Sequence, residues 1–240
     1  MEGNNQKINK GGFPIHVIGI SASGVSDLSQ KLQNIILSTK KLAGPSRVLT
    51  NLNSWWTDKR SKNTLPEFFE SDKPVDLINW LKKQDQQVVL LASGDPLWYG
   101  IGRVLLQHFP ADRLFFHPSP TSLQLAFSRL SRPWQDTNWI SLHGRDSSPL
   151  VKLLQQRPQT IGILTDPKKG GAKEVKDILC ASQLENIYQF WICERLGHED
   201  ERIFQISHKE VLPILDPLHL VVLIKEKSTV DNSEDIPLFG

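Results

Sequence analysis

The sequence predicts an α/β fold built on mostly parallel sheet. Apolar runs of strand length alternate with segments of helical period along most of the chain. The clearest run, QVVLLAS at 87–93, stops abruptly at Gly94-Asp95-Pro96. The last three runs, QFWICE, RIFQI and LHLVVLI, follow one another with little helix between them, so antiparallel pairing enters there.

Taken in order, IHVIGI at 15–20 is a continuous apolar run with β-branched residues, and it reads as a buried strand. Asp27 is placed to cap a helix whose apolar face is Leu28, Leu32, Ile35, Ile36 and Leu42. RVLT at 47–50 reads as a short strand. Pro74 opens a helix carrying Leu77, Ile78 and Leu81. After the strand at 87–93, helix is expected over 99–108, and RLFFHP leads to another over 121–130. The pattern repeats with a WISL strand, a helix from Pro149, an IGILTD strand and a helix ending at Ala181. Residues 1–12 read as a disordered leader and 228–240 as a flexible acidic tail. Between them an N-terminal α/β domain is expected over 13–117 and a C-terminal one over 118–227.

Composition excludes several function classes. With 240 residues, 39% of them hydrophobic, the chain can bury a core without disulfides or a structural metal. Lys+Arg 28 against Asp+Glu 26 leaves +2, too even for a protein that tracks a phosphate backbone, so no nucleic-acid partner is expected. LHLVVLI at 218–224 is far too short to span a bilayer, and the polar N-terminus lacks an apolar signal segment. No membrane partner is expected, and the chain reads as cytoplasmic. Cys180 and Cys193 offer neither a disulfide framework nor a CxxC spacing; both read as buried thiols, and no metal is expected.

ASGDPLWYGIG at 92–102 is the most informative motif. It follows the best buried strand, so the carboxyl end of a parallel sheet presents it where open α/β sheets bind ligands. Gly94 permits a sharp turn and close approach of a ligand. Asp95 brings a carboxylate able to hold a ribose hydroxyl pair or an amine. The plain alternative is a structural turn with Asp capping a helix. Trp98 is placed to wall a pocket for a flat ligand.

GISASG at 19–24 suits a phosphate or adenosyl group but lacks the second glycine of a dinucleotide fingerprint. KKGGAK at 168–173 reads as a solvated loop, and so does HEDE at 198–201. Thr121 and Ser122 sit at a helix start, either as caps or as hydroxyl and amide donors to a cofactor. In SLHGRD, His143 and Arg145 flank Gly144 at a strand end, and arginine suits a substrate carboxylate. No nucleophile–base signature is present, so the catalytic residues are unknown.

The order of these pieces resembles the tetrapyrrole (corrin/porphyrin) methylase family. It runs from a first-strand VIGI turn and ASGDPLWYGIG to PSPTSLQLAFSRL, SLHGR, LTD and CERLGHEDERI, over nearly all of 15–225. SLQLAF, SLHGR and CERLG point to its C5-methylating branch. The resemblance implies a two-domain tetrapyrrole methylase fold with mixed, mostly parallel sheets and a cofactor cleft between the domains. It also implies a homodimer.

The implied activity is S-adenosylmethionine-dependent methylation at C5 of a corrin precursor, precorrin-6Y or cobalt-precorrin-7, in cobalamin biosynthesis. Carried over by motif, the cofactor contacts would be Ala22, Gly94, Asp95, Trp98, Thr121, Ser122, Leu164 or Thr165, Cys193 or Glu194, and His219. Arg103, His143 and Arg145 would anchor the acidic arms of a tetrapyrrole (precorrin) substrate. A separate C15-methylase/decarboxylase partner is expected. The alternatives are a sister methylase with another ring position or substrate, or a non-catalytic adenosyl-binding subunit of that C15 partner.

Overall fold

The computed structural model describes residues 12–59 and 66–226. The expected tail, and the expected leader apart from Gly12, lie outside the described residues. The chain divides between Ser122 and Leu123 into two compact units.

In unit 1, β1 (Ile15–Ile20), β2 (Lys41–Gly44), β3 (Glu67–Glu70), β4 (Val88–Ser93) and β5 (Leu114–His117) form one parallel sheet, in the order β3-β2-β4-β1-β5. Its central strands are continuous apolar runs because helices cover both faces. Ile15, Val17, Val88 and Leu90 pack with Leu77, Ile78 and Leu81 of α3 (Pro74–Leu81) and Leu105 of α4 (Gly102–His108). On the other face Ile18, Val89 and Leu91 meet Ile36 of α1 (Gln30–Ser38) and Val48, Leu49, Leu52 and Trp56 of α2 (Ser46–Lys59). Each such fully buried aliphatic side chain contributes roughly 1.5–3 kcal/mol. Neighbouring β1 and β4 thus feed helices on opposite faces. The carboxyl ends of such strands are where open α/β sheets bind ligands.

Unit 2 holds β6 (Asn138–Ser141), β7 (Thr160–Leu164), β8 (Tyr188–Glu194), β9 (Arg202–Ile206) and β10 (His219–Lys225), ordered β6-β7-β10-β8-β9. Only β6 and β7 run parallel; the other ladders are antiparallel, as the helix-poor end of the sequence predicts. Leu123, Ala126 and Phe127 of α5 (Ser122–Arg129) cover one face, with Cys193, Leu220 and Val222. On the other face α6 (Ser148–Gln155) and α7 (Ala172–Ala181) pack Leu150, Leu154, Val175 and Leu179 against Ile161, Ile163, Ile192, Val221 and Leu223. Among the described residues no helix is long and apolar enough to cross a membrane.

Several local expectations are overturned. RVLT is helical: the Asp72 carboxylate accepts from the Ser46 backbone N–H (3.1 Å) and hydroxyl (2.9 Å), fixing a helix start just before it. Val48, Leu49, Leu52 and Trp56 then recur at helical spacing, a period that four residues cannot reveal. Leu42 belongs to β2 instead of α1, because Thr39 turns extended and ends the helix. Asp27 caps nothing; it ends a 3-10 turn (Val25–Asp27) and accepts from the Ser21 hydroxyl at 3.2 Å. Helix α4 begins at Gly102, three residues beyond the expected Tyr99, because Tyr99 is left-handed (φ 51°). The short strands β2 and β3 were not expected. Cys180 is exposed, not buried.

Candidate functional site

The carboxyl edge of the unit 1 sheet is laced across all five strands. Ser71 N–H donates to Gly44 O (3.1 Å), joining the ends of β3 and β2. Arg47, at the start of α2, reaches the end of β4 through a 2.7 Å bond from Nη2 to Ser93 Oγ. Gly94 N–H donates to Ile20 O (3.0 Å), tying β4 to β1. Ser119, beyond β5, donates its hydroxyl to Gly19 O (2.8 Å) and its N–H to Gly94 O (3.3 Å). The three backbones approach so closely that a Cβ on Gly19 would lie 1.8 Å from Gly94 O. Only glycine fits there.

Gly94 is left-handed (φ +60°) and starts the turn that carries Asp95. One Asp95 carboxylate oxygen accepts from Leu97 N–H (2.8 Å), and Trp98 N–H closes on Asp95 O (3.1 Å). Backbone bonds therefore hold the carboxylate's orientation. The spacing Tyr99-Gly100-x-Gly102 has a structural cause: Cβ atoms on Gly100 and Gly102 would lie 2.6 and 2.7 Å from Pro96 O. Trp98 and Tyr99 stand edge to face at 5.3 Å and are 39% and 40% exposed, unusual for aromatic side chains that only fill a core.

Thr121 lies alongside Gly94, its Cα 3.4 Å from where a Gly94 Cβ would sit, and exposed Ser122 opens α5. Ala22 rides the neighbouring turn after β1, which Gly24 N–H closes on Ser21 O (3.1 Å). The fold thus gathers Gly94, Asp95, Trp98 and Thr121 at one edge, with Ala22 on the adjoining loop. Arg103 is exposed in the first turn of α4.

In unit 2 the candidates converge where β6, β7 and β8 end and β10 begins. His219 pairs in register with Glu194, and Leu220 with both Cys193 and Leu164. Backbone bonds tie β6 to β7 (Leu142 N–H to Leu164 O, 2.8 Å) and β8 to β10 (Arg195 N–H to Leu218 O, 2.8 Å), and side chains hold the loops beyond them. Thr165 Oγ1 donates to His219 O (2.6 Å). Ala172 N–H donates to His219 Nε2 (2.9 Å), so Nδ1 carries the proton and donates to Asp216 O (2.6 Å). Buried Glu194 accepts from Asp216 N–H (2.7 Å) and pairs with the Arg202 guanidinium. Cys193 points into the core, and burial, with Glu201 nearby, pushes its thiol up to about 12. The ring of His219 and the side chains of Glu194 and Thr165 are thus engaged within the protein, and the KKGGAK segment is only half solvated. Its Gly171 and Ala172 are buried, and a Cβ on Gly171 would lie 2.6 Å from His219 Nε2.

His143 and Arg145 project from an exposed turn that a residue absent from the sequence-based candidates holds in place. Asp166, only 4% exposed, accepts from Gly144 N–H (2.9 Å) and Lys168 N–H (3.0 Å). The Gly144 amide, chief among its donors, holds the Asp166 carboxyl below the usual carboxylate range. Its position directly after a strand was visible as LTD; its partner 22 residues upstream was not. Arg47 was likewise missed, hidden in a segment read as strand. Among the described residues, no three His, Cys, Asp or Glu side chains group to hold a metal ion.

A parallel sheet whose carboxyl edge presents a fixed carboxylate and exposed aromatics, followed by a mixed sheet, defines an α/β protein of two units. Its sequence is more specific. The chain belongs to the tetrapyrrole (corrin/porphyrin) methylase family, whose model matches residues 14–212.

The chain is 26% identical over 223 residues to a precorrin-6Y C(5,15)-methyltransferase [decarboxylating] of Sinorhizobium sp, covering 92% of itself but 51% of that protein. It therefore spans about half the length of that relative. A cobalt-precorrin-7 C(5)-methyltransferase of Salmonella typhimurium is 30% identical over 152 residues, 63% of this chain and 73% of that one. The fold matches the precorrin-6Y methylase of Archaeoglobus fulgidus with TM-score 0.65 at 19% identity, covering 90% of this chain and all of that one. It also matches a uroporphyrin-III C-methyltransferase of Thermus thermophilus complexed with S-adenosylhomocysteine, with TM-score 0.60 at 18% identity over 88% of this chain and 96% of that one.

Proposed function

We propose that this chain is an S-adenosylmethionine-dependent methyltransferase that methylates C5 of a corrin precursor, precorrin-6Y or cobalt-precorrin-7, in cobalamin biosynthesis. The observation that carries the reading is the Asp95 carboxylate, fixed by Leu97 N–H on a turn whose glycine backbone packs against β1 and the segment after β5. The donor set fits an adenosyl group. Asp95 accepts from a ribose hydroxyl pair, Thr121 stands beside the same turn, and exposed Trp98 offers a flat apolar wall. The likeness to a methylase that binds S-adenosylhomocysteine supports the cofactor, and the C(5) in the Salmonella relative's name supports the position.

When bound, S-adenosylmethionine supplies an electrophilic methyl group on a sulfonium. The protein's work is to place the two reactants: Asp95 and Thr121 fix one end of the cofactor, and the glycine backbone excludes side chains from its approach. Holding two reactants in register is worth roughly 7–11 kcal/mol of barrier. His143 and Arg145, on the turn set by Asp166, offer groups for the substrate's carboxylate arms. The reading extends to a cytoplasmic homodimer.

Calorimetric titration with S-adenosylhomocysteine tests it. Wild type is expected to bind one equivalent per chain. Asp95→Ala is expected to lose about 100-fold in affinity, as two charge-assisted hydrogen bonds disappear, while losing only about 1 kcal/mol of stability with the turn bond to Leu97. No binding by folded wild type, or unchanged affinity in the variant, overturns the assignment.

A further inference from the structure

We propose that Arg47 is a substrate-anchoring residue, a guanidinium aimed along the carboxyl edge of the unit 1 sheet to take a carboxylate arm of the tetrapyrrole. The proposal rests on the methylase reading and adds a residue that neither the motifs nor the family resemblance singled out. Its backbone is fixed by the helix start at Ser46, where Asp72 accepts two hydrogen bonds. Its side chain is fixed by the 2.7 Å bond to Ser93 Oγ, and Ser93 directly precedes the Gly94-Asp95 turn. The guanidinium is therefore tied to the residue next to the turn assigned to the cofactor.

Among the described residues its charge has no carboxylate partner. Arg129 pairs with Glu201, Arg195 with Asp200 and Asp216, and Arg202 with Glu194. The observed partner of Arg47 is a neutral hydroxyl. Arg47 is exposed, so burial does not explain its orientation. An arginine with its fork steered by one bond and its remaining donors open is suited to bidentate capture of a carboxylate, a role lysine fills less well. Acetate and propionate arms supply that group; the methionine end of S-adenosylmethionine also carries one, and a loss of S-adenosylhomocysteine affinity in Arg47→Gln would overturn the proposal by assigning Arg47 to the cofactor.

The test uses the full chain saturated with S-adenosylhomocysteine and two probes: a corrin with free acetate and propionate arms, and the same corrin with those acids methyl-esterified. Absorbance titration of wild type against Arg47→Gln is expected to show about tenfold weaker binding of the free acid. Binding of the ester and of S-adenosylhomocysteine stays unchanged, and Arg47→Lys falls between wild type and Arg47→Gln. Ser93→Ala, which leaves the charge but releases its aim, is expected to weaken the free acid about threefold; this variant decides the matter if Arg47→Gln does not fold. Equal loss for acid and ester, or unchanged affinity for the acid, overturns the proposal. Wild type that binds S-adenosylhomocysteine but neither corrin refutes the anchor and leaves the cofactor reading standing. Failure to bind S-adenosylhomocysteine removes the methylase reading first.

Discussion

The two sheet edges that carry the candidate residues differ in how much of their bracing comes from backbone and how much from side chains. In unit 1 backbone holds backbone: Gly19, Gly94 and Ser119 meet main chain to main chain, while Asp95, Trp98 and Arg47 project from the frame. In unit 2 side chains add to the backbone bonds from Leu142 N–H to Leu164 O and from Arg195 N–H to Leu218 O. His219 joins Ala172 to Asp216, Asp166 joins Gly144 to Lys168, and Glu194 joins Asp216 to Arg202. Residue types that look equally functional in sequence therefore differ in status. A polar side chain whose atoms are satisfied inside the protein belongs to the frame, and the proposed ligand contacts lie with Asp95 and Arg47 on the other edge.

The largest expected effect breaks the unit 1 side of this contrast. Gly19→Ala drives a methyl group into the Gly94 carbonyl and is expected to cost about 3 kcal/mol or more in urea denaturation. A variant of wild-type stability would show that the backbones can part. Next, Asp166→Ala strands two amide donors and is expected to cost about 2–3 kcal/mol. A loss as small as that of a surface substitution would mean that the 143–145 turn is held by something else.

Unit 1 also contains an engaged histidine pair, and pH exposes it. His16 Nδ1 lies 3.1 Å from His117 Nε2, and burial first, then His117 and Lys31, lowers His16 from 6.5 to about 4. Between those values the unfolded chain takes up a proton that the folded chain refuses. Stability is therefore complete above 6.5 and falls as pH drops toward 4. The urea midpoint of His16→Asn is expected to fall less across that window than that of wild type; an identical fall would sink the assignment. The smallest effect is chemical. Exposed Cys180 is expected to react with a thiol reagent at neutral pH while Cys193, buried and pushed up to about 12, stays unmodified until the protein unfolds. Two fast-reacting thiols in the native state would place Cys193 outside the core.

Much of the fold was legible because burial on both faces leaves a plain trace. β1, β4, β7, β8 and β10 are continuous apolar runs, and each was found within a residue or two. KLAG and EFFE escaped because four residues with mixed burial carry no period. RVLT was misread because β-branched residues suit a strand until Asp72, 26 residues from Ser46, supplies the helix start. At the candidate site, the Gly-Asp-Pro turn was legible because a glycine and a proline breaking a buried apolar run signal a sharp turn by themselves. Asp166 and Gly144, 22 residues apart, and His219 and Ala172, 47 apart, were not, since a hydrogen bond at such range leaves no local spacing.

By itself the sequence determined the alternation of strand and helix, the glycine turn at the end of the best strand, and the family. Those follow from local backbone freedom and from apolar periodicity, which neighbouring residues set. Tertiary structure alone decided which polar side chains are open to a ligand and which are consumed as braces. That is because satisfaction of a hydrogen-bonding group depends on the atoms brought beside it from elsewhere in the chain.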